Sequence, residues 1–226
     1  MEESTNMKKI IALALCFIMS SFVLAGCSGE SELFEEKSFT PDTQVNGINL
    51  DVRDREIEVT LSDDEQVHIQ YSENSKEYYE ISASDGNVLT MVNASNKEWT
   101  DYIGGKPSAE DRKIVLQVPT ALLDTVTLST TNEDVSLPVL AVTGSIDIST
   151  NGGNITFESL DVGNTLTLTA KNGDISGTVI GSYDDFAIQS EIKKGDSNLP
   201  DNKDSGDKTL KVSSNNGDVN IEFAAK

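Results

Sequence analysis

From Val45 onward, apolar residues recur at every second position in short runs. Ile48, Leu50 and Val52 form one run, Ile57, Val59 and Leu61 the next, and Val67, Ile69 and Tyr71 a third. Tyr79, Ile81 and Ala83 lead into "SDGN", residues 84–87, and Leu89 and Met91 lead out. Successive side chains of a strand point to opposite faces, so this alternation predicts half-buried β-strands. The breaks carry turn chemistry: "SDDEQ" at 62–66, and an Asp-Gly pair in "SDGN" suited to a hairpin. Past the first 26 residues no segment keeps a helical period, and the chain reads as all-β.

A longer period overlies the alternation from residue 126. Val126, Ile146, Leu166 and Phe186 are spaced by 20 residues, as are Leu128, Ile148, Leu168 and Ile188. Val135, Ile155 and Ile175 keep the same step, and so do Leu140, Leu160 and Ile180. Twenty residues at about 3.3 Å each trace a circuit of at most about 66 Å, a prism with three short faces whose coils stack about 4.8 Å apart. The expectation is a β-solenoid over 126–226, with a more ordinary arrangement of alternating strands before it as its first part or cap, in one domain over 40–226. A β-sandwich of regular hairpins is the alternative; it explains the alternation and leaves the fixed step unexplained.

Each coil carries a polar stretch: "TTNEDVSL" from Thr130, "STNGGNITF" from Ser149, "AKNGDISG" from Ala170 and "SNNGDVNIEF" from Ser214. Read as bends, Asn132, Gly153, Gly173 and Gly217 turn the chain, glycine by permitting positive φ and Asn or Asp by bonding to nearby backbone. Read as ligands, Asp134, Asn154, Asp174 and Asp218 would form a calcium ladder, oxygen donors for a hard cation. The nonapeptide spacing of calcium β-rolls is absent, Glu133 replaces the glycine of the first copy and Asn154 halves the charge at one rung, which favours the bends. No cofactor is expected.

Two segments interrupt the pattern. Leu210 and Val212 follow Phe186 and Ile188 at a step of 24, the extra length lying in 193–208, expected to bulge from the wall. Residues 93–112 form a long loop holding Trp99 and Tyr102, which with Tyr78 and Tyr79 would make either a sugar-stacking platform or a pin over the end of the core.

Near the start of the chain Lys8-Lys9 precedes an apolar run over 10–23 and then Leu24-Ala25-Gly26-Cys27. This pattern is that of a secretory signal, and the tetrapeptide resembles the lipobox of bacterial lipoproteins. The resemblance implies cleavage after residue 26, diacylglycerol on Cys27 and attachment to the outer face of a membrane; an uncleaved anchor is the alternative. Met7 is the more natural start. Residues 27–39 read as the lipidated cysteine and an acidic tether. With Cys16 removed and Cys27 lipidated, no thiol is left for catalysis, metal or disulfides.

Against 38 acidic residues stand 17 basic ones, a net charge of −21. Such a field disfavours nucleic acid and anionic surfaces. His68, the lone histidine, is expected to face solvent, and no nucleophile elbow, His pair or phosphate loop appears. An enzyme acting on polysaccharide is the least favoured reading, because such clefts need basic groups and only Arg53, Arg55 and Arg112 are arginines.

The lipobox, "KIVLQVPTALLDTVTL" from Lys113, the recurring Asn-Gly-Asp corner, "GDSNLP" from Gly195 and the closing "LKVSSNNGDVNIEF" together resemble the bacterial "putative adhesin" family, over roughly residues 40–226. The resemblance implies a β-solenoid domain of unknown function on an exported or membrane-attached protein, with no catalytic motif to carry over. Two functions fit: a non-catalytic surface scaffold binding an extracellular polymer or envelope protein, or an accessory of an envelope-sensing system.

Overall fold

The computed structural model describes residues 32–83, 87–98, 106–120 and 123–225. In chain order the strands are β1 (Glu35–Phe39), β2 (Gly47–Asp51), β3 (Glu56–Leu61), β4 (His68–Glu73), β5 (Glu77–Ala83), β6 (Val88–Ser95), β7 (Lys113–Val118), β8 (Leu123–Ser129), β9 (Val135–Thr150), β10 (Ile155–Val162), β11 (Thr165–Ala170), β12 (Ile175–Ile180), β13 (Phe186–Ile192), β14 (Asn202–Lys203), β15 (Lys208–Ser214) and β16 (Val219–Ala224). Only two single-turn 3-10 helices interrupt them among the described residues, at Glu110–Arg112 and Tyr183–Asp185.

Two walls result, and β9 belongs to both. Its first half pairs with β3 and β10, and its second half with β8 and β11. The bend is visible in burial: Val135 and Leu137 point inward, Pro138 and Val139 both point out, and Leu140 and Val142 point inward again. Two successive outward residues turn a pleated chain through a corner, giving each coil its separate short faces.

The 20-residue step is a step of one coil. Val135 aligns with Ile155 and Ile155 with Ile175, while Val126 aligns with Ile146 and Ile146 with Leu166, all in parallel pairs. These columns make the core: Leu89, Ile48, Val126, Ile146, Leu166, Leu210 and Ile188 lie in one line across the stack, none more than 1% exposed. Ile114, Ile57, Val135, Ile155, Ile175 and Val219 form the matching line in the other wall. Each fully buried Leu, Ile or Val contributes about 1.5–3 kcal/mol against exposure.

Three expectations are corrected. The last coil does not follow β13; β15 lies between β11 and β13, so Leu210 sits beside Leu166, and Ile188 rather than Phe186 completes that column. The fourth column ends at Val179, which aligns with Leu160, because the β10–β12 register shifts by one residue between Phe157 and Ser159. Gly177 is opposite Phe157, and a β-carbon there would lie 2.3 Å from its ring, so the glycine makes room for the aromatic side chain. Finally, the first half of the domain continues the stack, β2 lying parallel between β6 and β8, and β3 parallel between β7 and β9. Among the described residues the antiparallel pairs of this half lie at its margins, β5 on β6 and β1 on β4, with β4 antiparallel to β7.

Both ends are closed by polar devices. At the far end the segment expected to bulge lies across the stack: Leu199 is buried, and the Asn198 amide donates to the carbonyl of Ile221 and accepts its N–H, acting as a strand edge for β16. At the near end β1 begins inside the segment expected to be a tether, and Glu32 accepts hydrogen bonds from the hydroxyl and N–H of Ser75.

Candidate functional site

The repeating corner is the most regular polar feature of the chain. Each corner's Asx carbonyl accepts the N–H of the first inward residue of the coil before it in the stack: Val135 donates to Asn154, Ile155 to Asp174, Ile175 to Asp218 and Val219 to Asp196. A second ladder of side chains runs beside it. Asn154 N–H donates to the Asp134 carboxylate at 2.7 Å, Asp174 N–H to the Asn154 side chain at 2.9 Å, Asp218 N–H to Asp174 at 2.8 Å and Asp196 N–H to Asp218 at 2.8 Å. Asn works as well as Asp because the task is to present one acceptor oxygen.

The glycines serve close approach. A β-carbon on Gly173 would lie 2.0 Å from the Gly153 carbonyl oxygen, and one on Gly217 would lie 2.1 Å from that of Gly173. Gly153 meets the Glu133 carbonyl in the same way. Neither Gly153 nor Gly173 has positive φ, so the stacking distance imposes the residue there rather than the turn. Glu133 departs from glycine with a purpose: its carboxylate receives Arg112 and, at 3.7 Å, Lys106, tying the described end of the 93–112 segment to the corner.

Sequence reading missed a fifth rung and the head of the ladder. Lys194-Gly195-Asp196 inside the 193–208 insertion is the fifth corner, and a β-carbon on Gly195 would lie 2.2 Å from the Gly217 carbonyl oxygen. The motif was legible there, hidden by its place out of step with the columns. At the other end Asn132 donates to the Asp54 carboxylate at 2.6 Å, and Asp54 itself has φ of 52°. Partial burial raises the Asp54 pKa, but bonds from Asn132 and Thr131 and the positive charges of Lys106 and Arg55 outweigh it, holding the carboxyl below its usual range.

Beside this head lies Arg55, 2% exposed. Its Nε donates to the Tyr79 hydroxyl at 2.6 Å and its Nη2 to Glu77 at 3.0 Å, while Nη1 reaches the Asp54 carbonyl at 3.1 Å. The guanidinium also faces the Phe34 and Tyr79 rings. Burial pushes the Tyr79 hydroxyl pKa up. Tyr79 is thus a core residue, packed edge-on against Tyr71 with ring centroids 5.3 Å apart, whereas Tyr78 on the opposite face of β5 reaches toward Asn96. The two do not form one platform; Trp99 and Tyr102 lie outside the described residues, as does Cys27.

His68 faces outward between buried Val67 and Ile69, as the alternation predicts, and there it bridges two segments. Its Nδ1 is 2.7 Å from the Thr40 hydroxyl and its Nε2 2.8 Å from Asp64, joining the end of β1 to the 62–66 turn. The hydrogen bond from His68 lowers the Asp64 pKa. Among the described residues no three His, Cys, Asp or Glu groups are placed to hold a metal ion.

Parallel coils, aliphatic columns and Asx-laddered corners define a β-solenoid-like scaffold. Residues 45–224 match the family described as Toastrack DUF4097, and the chain belongs to that family. Its fold is similar to the crystal structure of a "putative cell adhesion protein" from Clostridium sporogenes, 11% identical, TM-score 0.56, covering 85% of this chain and all of that one. A "putative adhesin" from Bacteroides fragilis is 14% identical with a TM-score of 0.33, covering 86% and 98% respectively. No curated protein matches the chain.

Proposed function

We propose that the chain is a non-catalytic surface scaffold, exported and held to the outer face of a membrane through lipid on Cys27, that binds an extracellular polymer or envelope protein with its outer walls. The observation that carries this reading is the commitment of its reactive groups to structure. The corner carboxylates accept backbone N–H groups, His68 lies between Thr40 and Asp64, and the buried arginine is held by Tyr79 and Glu77. Groups so engaged serve a rigid frame, which leaves the outward faces for recognition. The similarity in fold to a protein described as a "putative cell adhesion protein" supports the same reading.

The test is surface labelling of intact cells producing the chain, followed by crosslinking. Labelling and palmitate incorporation that both disappear in Cys27→Ala are expected. Retention inside the cell would overturn the proposal. Capture of wall or matrix polymer supports the scaffold, and capture of an integral membrane protein supports the envelope-sensing accessory instead.

A further inference from the structure

The outward side of the wall formed by β8, the second half of β9, β11 and β15 is a regular array. In register across the four strands lie Thr125, Ser145, Thr165 and Thr209, then Thr127, Asp147, Thr167 and Lys211, then Ser129, Ser149, Thr169 and Ser213. Ten of these twelve positions carry hydroxyls, and the other two, one Asp and one Lys, cancel in charge. A chain of net charge −21 therefore keeps one neutral face.

The hydroxyls of this face are uncommitted. Among the described residues none of the ten takes part in a side-chain hydrogen bond, and none of the ten residues is buried. The hydroxyls at the corners behave differently: Thr130 donates to the Arg55 carbonyl, Thr131 to the Asp54 carboxylate, and Thr150 accepts the Gly153 N–H. The array repeats at about 4.8 Å between coils and about 6.6 Å along each strand. A groove of about 230 Å³ opens at its margin, lined on the array's side by Thr167, Thr169, Lys211 and Ser213 and on the far side by the carboxylates of Glu191 and Asp201.

We infer that this face binds a neutral, extended polysaccharide through hydroxyl-to-hydroxyl hydrogen bonds. The neutrality of the face removes any electrostatic attraction for a charged polymer, and the surrounding acidic surface repels an anionic one. Regular free donors and acceptors at short spacing suit a polymer that presents hydroxyls at every unit, and hydrogen bonds to many weak sites sum along its length. The inference rests on the surface-scaffold reading and narrows it to one face and one ligand class.

The experiment uses full-length chain in detergent, retained on insoluble cellulose, on chitin and on immobilised polygalacturonate. Retention on at least one neutral polymer is expected, falling tenfold or more in Thr127→Glu/Thr167→Glu and unchanged in Thr156→Glu/Ser176→Glu on the other wall. If the face variant does not fold, Thr127→Ala/Thr167→Ala is read in its place, with at least a threefold loss expected. Failure to bind either neutral polymer, equal loss in the control, tighter binding to polygalacturonate, or a concentration-dependent dimer abolished by the face variant would each overturn the inference. A chain found at the cell surface that ignores both neutral polymers loses this inference and keeps the broader reading.

Discussion

The carboxylate of Asp174 accepts the backbone N–H of Asp218 at 2.8 Å, a bond between residues 44 apart in sequence and one coil apart in space. Asp174→Ala removes that acceptor from an exposed N–H, at a cost of about 0.5–1.5 kcal/mol. Asp174→Asn keeps the acceptor and is expected to lose less than half as much, as Asn154 already does the same work one coil away. Thermal unfolding of the two variants checks this.

Gly173 and Gly152 predict a contrast between neighbours in the corner. Alanine at 173 drives its methyl against the Gly153 carbonyl oxygen, backbone that cannot yield, whereas at 152 the nearest atom is the Asn132 side-chain oxygen at 3.0 Å. Gly173→Ala is expected to destabilise by about 3 kcal/mol, near the upper end for single substitutions, and Gly152→Ala by under about 1 kcal/mol. Denaturant midpoints at equal slope distinguish the two.

Removing the buried arginine leaves Glu77 without one of its two cationic partners and Tyr79 without its donor. Arg55→Ala is expected to cost about 3–5 kcal/mol, as for breaking a buried ion pair. Arg53→Ala, at an exposed position, is expected to change stability by less than about 0.5 kcal/mol.

Two carboxyls predict opposite pH responses. The Asp54 pKa is lowered in the fold, so its contribution is present above the unfolded value and is lost as pH falls through the folded one. Asp54→Asn should therefore flatten the acid limb of the stability curve. Desolvation raises the Asp147 pKa, so the fold loses stability as pH rises through the window between the two values. Asp147→Thr is expected to raise Tm at pH 7 and to have little effect at pH 3.

Chelator and calcium give a further check on the corner. Because the Asx oxygens already accept N–H bonds from the next coil, Tm is expected to be the same in EDTA and in millimolar calcium. A rise in calcium would return Asp134, Asn154, Asp174 and Asp218 to the role of ligands.

Much of the solenoid could be read from residues alone, since Val126, Ile146 and Leu166 keep their step only if equivalent positions stack. The order of the coils could not. A period records how far apart equivalent residues are along the chain, whereas β2 joins β6 to β8 and β15 joins β11 to β13 out of sequence. The same blindness hid the fifth corner at Asp196. Arg55 was invisible for another reason: its burial depends on Phe34, Glu77 and Tyr79, which periodicity does not link to it. Corner glycines were legible as glycines, but their reason lies between coils, where one carbonyl faces the next.

The placement of β15 between β11 and β13 governs how the chain can acquire its structure. In a simple repeat array each unit docks on the one before, and order can spread from any point. Here β13 precedes in the chain the strand it must rest on, and β11 waits for residues beyond 208. Contacts of long sequence separation must close before either half of the stack is complete, which slows folding and makes the domain a single cooperative unit. Truncation after Ile192 should therefore unravel far more than the last coil.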